Sequence, residues 1–199
     1  MDKPERDQED VEQADGLVEI AITGDLTDNE SDLTDRLLSV PPGGECMMFF
    51  DSPGGSPYCA ISITTIILLR QLRATGIVCG ECSSAALWPF AACQRRIVTP
   101  FSVLLFHPMK WQSEEHVGLA EAAEWARHFG HLENDMDRLL SLLFGREDND
   151  LEHWIRPGRY VSGQELHEAG LAEMIDLHTM IRKNSPPLSV PPKSSKRKS

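Results

Sequence analysis

The chain has 199 residues, enough for one domain with a substantial core, and its 41% apolar and 25% charged content is that of a folded globular protein. A formal charge of −12 argues against nonspecific nucleic-acid binding by the body, and no charge-free apolar stretch approaches the roughly 18–20 residues that span a bilayer. Five cysteines, at 46, 59, 79, 82 and 93, lie mostly inside apolar segments and read as buried reduced thiols, which points to the cytoplasm; Cys79 and Cys82 form a CxxC with no second pair to complete a zinc site, so no metal or cofactor is expected.

Residues 1–16 are acidic and polar, unlike a secretory signal, and are set apart as an N-terminal tail. Val18 to Ile22 alternates as a half-buried strand ending at Thr23-Gly24, and Asn29 to Leu38 reads as a short helix. Pro41-Pro42-Gly43-Gly44 breaks the chain before a strand, Met47 to Phe50, and a turn at Asp51-Ser52-Pro53-Gly54-Gly55. Ser56 then caps a helix whose first residue is Pro57, where a missing N–H costs nothing. That helix, to about Arg73, is apolar round most of its circumference (Ile61, Ile63, Ile66, Ile67, Leu68, Leu69, Leu72), so a large core or another subunit must cover it. Next come a strand from Gly76 to Cys79, a helix from about Ser84 with Pro89 inside it, and strands Arg96 to Val98 and Val103 to Phe106. This alternation predicts βα crossover units and a largely parallel sheet.

Ser113 is expected to open a long helix that Gly145 stops after Phe144. Within it Ala122, Trp125, Phe129, Leu132, Met136, Leu139 and Leu143 form one seam, on a helix of roughly 45 Å at 1.5 Å per residue. Such a helix overhangs a domain of this size, so the seam is assigned to a neighbouring chain; the alternative is packing on its own sheet with a kink at Gly130. His128 and His131, with Glu124 one turn earlier, are read as a solvated helix face rather than a metal site. Arg159 to Ile175 supplies a strand, a helix entered at Ser162 and a closing strand. Residues 181–199 form a basic Pro/Ser-rich tail, with Lys193, Lys196, Arg197 and Lys198 near its end, expected to stay solvated.

Three chemistry-bearing residues stand at strand ends. Ser84 follows the apolar run Ile77-Val78-Cys79, Gly55 ends the turn after Phe50, and His107 closes Ser102-Val103-Leu104-Leu105-Phe106. Taken singly these are a helix cap, a turn and a loop histidine. Together a hydroxyl, a glycine turn and an imidazole are the parts of a serine acyl-transfer site.

At these residues the chain resembles the Clp protease proteolytic subunit family (ClpP-like, peptidase family S14), from about Leu17 to Asp176. Ser52-Pro53-Gly54-Gly55-Ser56 is similar to the family's glycine loop. Gly80-Glu81-Cys82-Ser83-Ser84 stands where the family has Gly-Gln-Ala-Ala-Ser, and Ser102 to His107 matches its Ser-x-x-x-x-His. Arg159-Tyr160-Val161-Ser162 and Glu168-Ala169-Gly170-Leu171 match its closing Arg-Phe-x-Ser and Glu-x-Gly-Leu.

The resemblance implies an α/β ClpP/crotonase-like spiral of β-β-α units over residues 17–180, with a long protruding handle helix. It implies Ser84 as nucleophile, His107 as general base, and the Gly55 and Ala85 N–H groups as the oxyanion hole. Glycine at 55 fits because a residue without Cβ lets the backbone face substrate closely. Peptide or unfolded-protein substrates and ring self-association through the 114–144 helix are implied as well.

Departures are equally legible. The family's third member, an aspartate, precedes its Arg-Phe-x-Ser segment, where this chain has Pro157-Gly158; Asp148, Asp150 and Glu152 are the nearby acids that could replace it. The stretch from Ser84 to His107 is shorter than is usual in the family. The family's N-terminal arm, which meets its AAA+ ATPase, has no counterpart in Met1 to Gly16, so such a partner is left open. Two other function classes follow: a noncatalytic subunit, from Gly158, and a crotonase-type acyl-CoA enzyme, which needs neither Ser84 nor His107.

Overall fold

Alternating apolar residues on three parallel strands build the frame. In the computed structural model, which describes residues 16–112, 116–147 and 150–184, these are β1 (Val18–Asp25), β2 (Glu45–Gly54) and β3 (Arg73–Cys82). One face of each strand is buried: Ile20 and Ile22 on β1, Cys46, Met48 and Phe50 on β2, Ala74, Val78 and Cys82 on β3. Beyond β3 the sheet continues in parallel through β4 (Arg95–Val98) to β7 (Glu173–Met174), in the order β1-β2-β3-β4-β7. The expected parallel sheet is therefore present. β5 (Val103–Phe106) touches β3 in parallel where Glu81 faces Val103 and pairs antiparallel with β6 (Arg159–Ser162). β5 and β6 thus leave the main sheet at the end of β3, which carries His107 toward Ser84.

Helices fill one side. α1 (Glu30–Ser39) buries Leu33 and Leu37. α2 (Pro57–Leu69) starts as its sequence predicts, with Pro57 first and the Ser56 hydroxyl accepting from the Tyr58 N–H. It stops earlier than expected: Gln71 turns the chain with φ of 52°, and β3 is already paired to Glu45 at Arg73. Leu69 is 79% exposed, so not all of its apolar girdle is covered within the chain.

α3 (Leu87–Ala92) is buried almost throughout and carries Phe90, whose ring meets Phe50 edge-on at 5.4 Å and Phe144 at 6.4 Å. Phe106 joins the same cluster through Phe144 and through Trp154 of α5 (Glu152–Ile155) at 5.1 Å. Each such full burial contributes roughly 1.5–3 kcal/mol. α6 (Gly163–Glu168) opens with a reciprocal cap between Ser162 and Glu165, and α7 (Leu177–Asn184) follows the last strand.

The handle helix α4 (Leu119–Leu143) has 25 residues, ~37 Å at 1.5 Å per residue, and runs through Gly130 without a break. It begins six residues later than the sequence suggests, with Gly118 as the extended residue before it; Ser113 itself lies outside the described residues. The predicted seam divides. Met136 and Leu140 are buried against the body, whereas Leu119 is 90% exposed, Phe129 stacks on Trp111 and Trp125 leans on Phe129. Among the described residues no helix is long and apolar enough to cross a membrane.

Candidate active site

The end of β3 presents Ser84 on a strained turn. Ser84 opens a single 3₁₀ turn into α3 and has φ of 53°, a left-handed conformation that a residue with a Cβ rarely adopts. Its neighbour holds it there. The Ser83 N–H donates to the Ser52 carbonyl at 3.0 Å, and the Ser83 hydroxyl accepts from the Leu105 N–H at 3.2 Å. Ser83 is thus occupied and buried, and Ser84 is the free hydroxyl.

Glycines at 54 and 55 divide two tasks. A Cβ on Gly54 would stand 2.7 Å from the Ser84 Cβ and 2.8 Å from the Ser83 carbonyl oxygen, so Gly54 is the residue that lets β2 pass beneath the serine. At Gly55, with φ of 143°, an added Cβ would run into the Asp25 carboxylate and the Leu26 N–H. A constraint on Gly55 therefore comes from β1, beside the approach to a substrate that the sequence suggests.

Ser84, Ala85, Gly55 and His107 line one cavity of about 140 Å³, so the four predicted residues come together. Trp88, Met109, Lys110 and Trp111 wall it; sequence reasoning missed these, though three of them follow His107 within four residues. Among the described residues neither the Gly55 nor the Ala85 N–H donates to a protein acceptor. No hydrogen bond joins Ser84 to His107 among them. The His107 ring is fixed instead by its own backbone, Nδ1 lying 2.6 Å from the Pro108 carbonyl oxygen. A carbonyl can only accept, so Nδ1 carries the proton and a neutral ring keeps its lone pair on Nε2.

Comparisons with known proteins bear on the family and the fold. The family model described as Clp protease matches residues 5–178. The chain belongs to the Clp protease family. Among solved structures, a point mutant of ClpP1 from Listeria monocytogenes superposes with a TM-score of 0.69 at 17% identity, covering 80% of this chain and 91% of that one. That likeness supports the ClpP/crotonase-like fold. No curated protein sequence matches the chain. The family match begins inside the acidic stretch that the sequence sets apart as a tail, in residues outside those described.

Where the resemblance expects an acid, the chain has Gly158. Gly158 has φ of 116° and its missing Cβ would lie 3.3 Å from the His107 Cβ, so the position faces the histidine but offers no carboxylate. Among the described residues no hydrogen bond or ion pair joins Asp150 or Glu152 to His107. Asp150 accepts from the Glu147 N–H at 3.3 Å, and Glu152 begins α5, where its charge acts on Arg156 and Asp137. Asp148 lies outside the described residues. Arg156, just before Pro157, forks onto Asp137 at 2.8 Å and Glu133 at 3.2 Å, tying this loop to α4. Burial nevertheless pushes the Asp137 carboxyl above its ordinary value, outweighing the guanidinium.

The remaining candidates have other occupations. Cys79 is exposed and Cys82 buried, and burial raises both thiols, the reverse of a reactive CxxC. Cys59 is likewise pushed up to about 11, by burial first and then by Glu30 and Asp25. Glu124 is paired with Arg127, and His128 Nε2 lies 3.0 Å from the Tyr58 hydroxyl.

Proposed function

We propose that this chain is a serine peptidase that hydrolyses peptide bonds through Ser84 and His107, acting on peptides or unfolded chains as part of a ring. The observation that carries this reading is the one cavity shared by Ser84, His107 and two amides that donate to no protein acceptor among the described residues. Substrate lies extended beside the chain that follows His107. The Ser84 oxygen attacks the scissile carbonyl while its proton passes to His107 Nε2. The oxygen of the tetrahedral intermediate is held by the Gly55 and Ala85 N–H groups, a term for which each donor is typically worth about 10²–10³ in rate. His107 returns the proton to the leaving amine, and water, deprotonated by the same nitrogen, releases the acyl group. Contacts between serine and base in an empty site are commonly long and tighten with substrate. Self-association uses α4, whose outer half exposes Leu119 and half-exposes Trp125.

A fluorophosphonate probe tests the reading. It is expected to label the wild-type chain at Ser84 and to find no target in Ser84→Ala. Absence of labelling in correctly assembled protein refutes it. The second reading, a noncatalytic subunit, draws on Gly158 facing His107 without a carboxylate. It predicts no labelling and co-purification with an active relative.

A further inference from the structure

Trp111 has no part in the chemistry above, yet it borders two cavities. On one side is the 140 Å³ space at Ser84; on the other is a chamber of about 440 Å³ against α4, walled by Trp125, Phe129, Val117 and Ala126. The indole is held in place by a face-to-face stack on Phe129, with centroids 3.6 Å apart and planes 9° from parallel. Trp125 leans on the same phenyl ring at 6.4 Å, so the partition is anchored in the handle helix.

Size decides what such a partition does. A cavity of about 150 Å³ takes one benzene ring. The scissile amide with its two flanking Cα atoms has about that bulk, so seating it against Ser84 uses the space available. A phenyl or indole side chain next to the reacting carbonyl finds its nearest apolar space in the larger cavity, and Trp111 stands between the two. Met109 and Trp88 close the neighbouring wall.

We propose that Trp111 is the residue that sets side-chain size at this site, and that its substrates carry a small residue, glycine, alanine or serine, on the acyl side of the cleaved bond. The proposal rests on Ser84 being the nucleophile. Trp111 acts through its bulk. Among the described residues its Nε1 is buried without an acceptor, so phenylalanine can replace the tryptophan there without losing a bond.

Peptidyl phosphonates that differ only in the side chain at the reacting centre, methyl or benzyl, read this directly as rates of Ser84 modification. Wild type is expected to react with the methyl compound about ten- to a hundred-fold faster than with the benzyl one. Trp111→Ala joins the chambers and is expected to cut that ratio at least about tenfold, chiefly by speeding the benzyl compound. Trp111→Phe keeps a flat wall on Phe129 and is expected to retain the preference. A merely structural role would slow both compounds alike and leave the ratio unmoved. Equal rates in wild type, or an unchanged ratio in folded Trp111→Ala, overturn the proposal; if Trp111→Ala does not fold, the wild-type ratio alone decides. No reaction of wild type with either phosphonate or with a small fluorophosphonate overturns the Ser84 reading, and this one with it.

Discussion

If the Pro108 carbonyl orients His107, neutralising the nearby acids leaves activity almost untouched. The perturbation is a triple variant, Asp148→Asn, Asp150→Asn and Glu152→Gln, which removes every carboxylate the sequence offers as a substitute third member. Loss of a true triad acid costs about 10⁴ in turnover, near 5.5 kcal/mol at 1.36 kcal/mol per decade. Here the Nδ1 proton is already taken at 2.6 Å by a backbone acceptor that no side-chain substitution removes. Asp150 and Glu152 are engaged elsewhere, the first with the Glu147 N–H and the second with the charges on Arg156 and Asp137. The structural cost is small: losing a first-turn acid on α5 costs about 0.3–1 kcal/mol of helix-dipole stabilisation. The expected kcat/KM on a fluorogenic peptide therefore stays within about threefold of wild type, inside the tenfold that 1.36 kcal/mol represents. The rate of fluorophosphonate labelling gives an independent reading. A fall of a thousandfold or more in folded protein would show that one of these carboxylates orients the ring, and the backbone argument would be wrong.

Gly54→Ala is expected to remove activity and lower stability together. Its new Cβ meets the Ser84 Cβ at 2.7 Å and the Ala85 nitrogen at 2.9 Å, with φ of 109° that a side chain resists. Overpacking and backbone strain each cost about 1–3 kcal/mol, so stability by urea unfolding is expected to fall by about 2–6 kcal/mol, and an unchanged midpoint contradicts the close approach of β2 to the serine. Glu165→Gln tests the cap on α6 through pH. Hydrogen bonds from the Ser162 N–H and then its hydroxyl hold the Glu165 carboxyl below its ordinary value, with a further pull from Arg159. A depressed carboxyl contributes stability that is present above the unfolded value near 4.3 and lost as pH falls through the folded one. Wild type is thus expected to exceed the variant by about 0.5–1 kcal/mol at pH 7 and to converge with it in the acid range, by urea unfolding at several pH values. A gap that does not change with pH rules out the charge as its source.

Features encoded over a few residues were legible, and features decided by distant packing were not. Strand alternation located β1, with Ile20 and Ile22 on its buried face, and cap chemistry located Ser56-Pro57 and Ser162, because each depends on neighbours in sequence. The start of α4 was misplaced because Ser113 offers a cap ahead of the seam that begins at Ala122, while Gly118 is extended just before the helix and Trp111 packs on Phe129 from outside it. Periodicity alone does not distinguish a ring that belongs to a helix from one that leans on it. The meeting of Ser84, His107, Gly55 and Ala85 was legible only because their order matches a family. The reasons for individual residues were not. That Ser83 bonds Leu105, that Gly55 makes way for Asp25, and that His107 turns to Pro108 all depend on rotamers and crossings between strands far apart in the chain.

The strain at Ser84 bears on whether the chain is an enzyme or a scaffold. A serine held at φ of 53° costs on the order of 1–3 kcal/mol, and glycine or asparagine would make the same turn more cheaply. The surroundings over-determine that conformation: both Ser83 groups are bonded across to β2 and β5, and Gly54 leaves room that any side chain would fill. A subunit that served only as architecture would need the turn but not a hydroxyl on it, still less one opening on a cavity beside an imidazole whose free nitrogen is the basic one. The missing carboxylate at Gly158 argues the other way, but it bears on how the ring is oriented, and a carbonyl at 2.6 Å already does that. The strain at Ser84, set against the substitution at Gly158, is the ground on which we propose chemistry and not architecture alone.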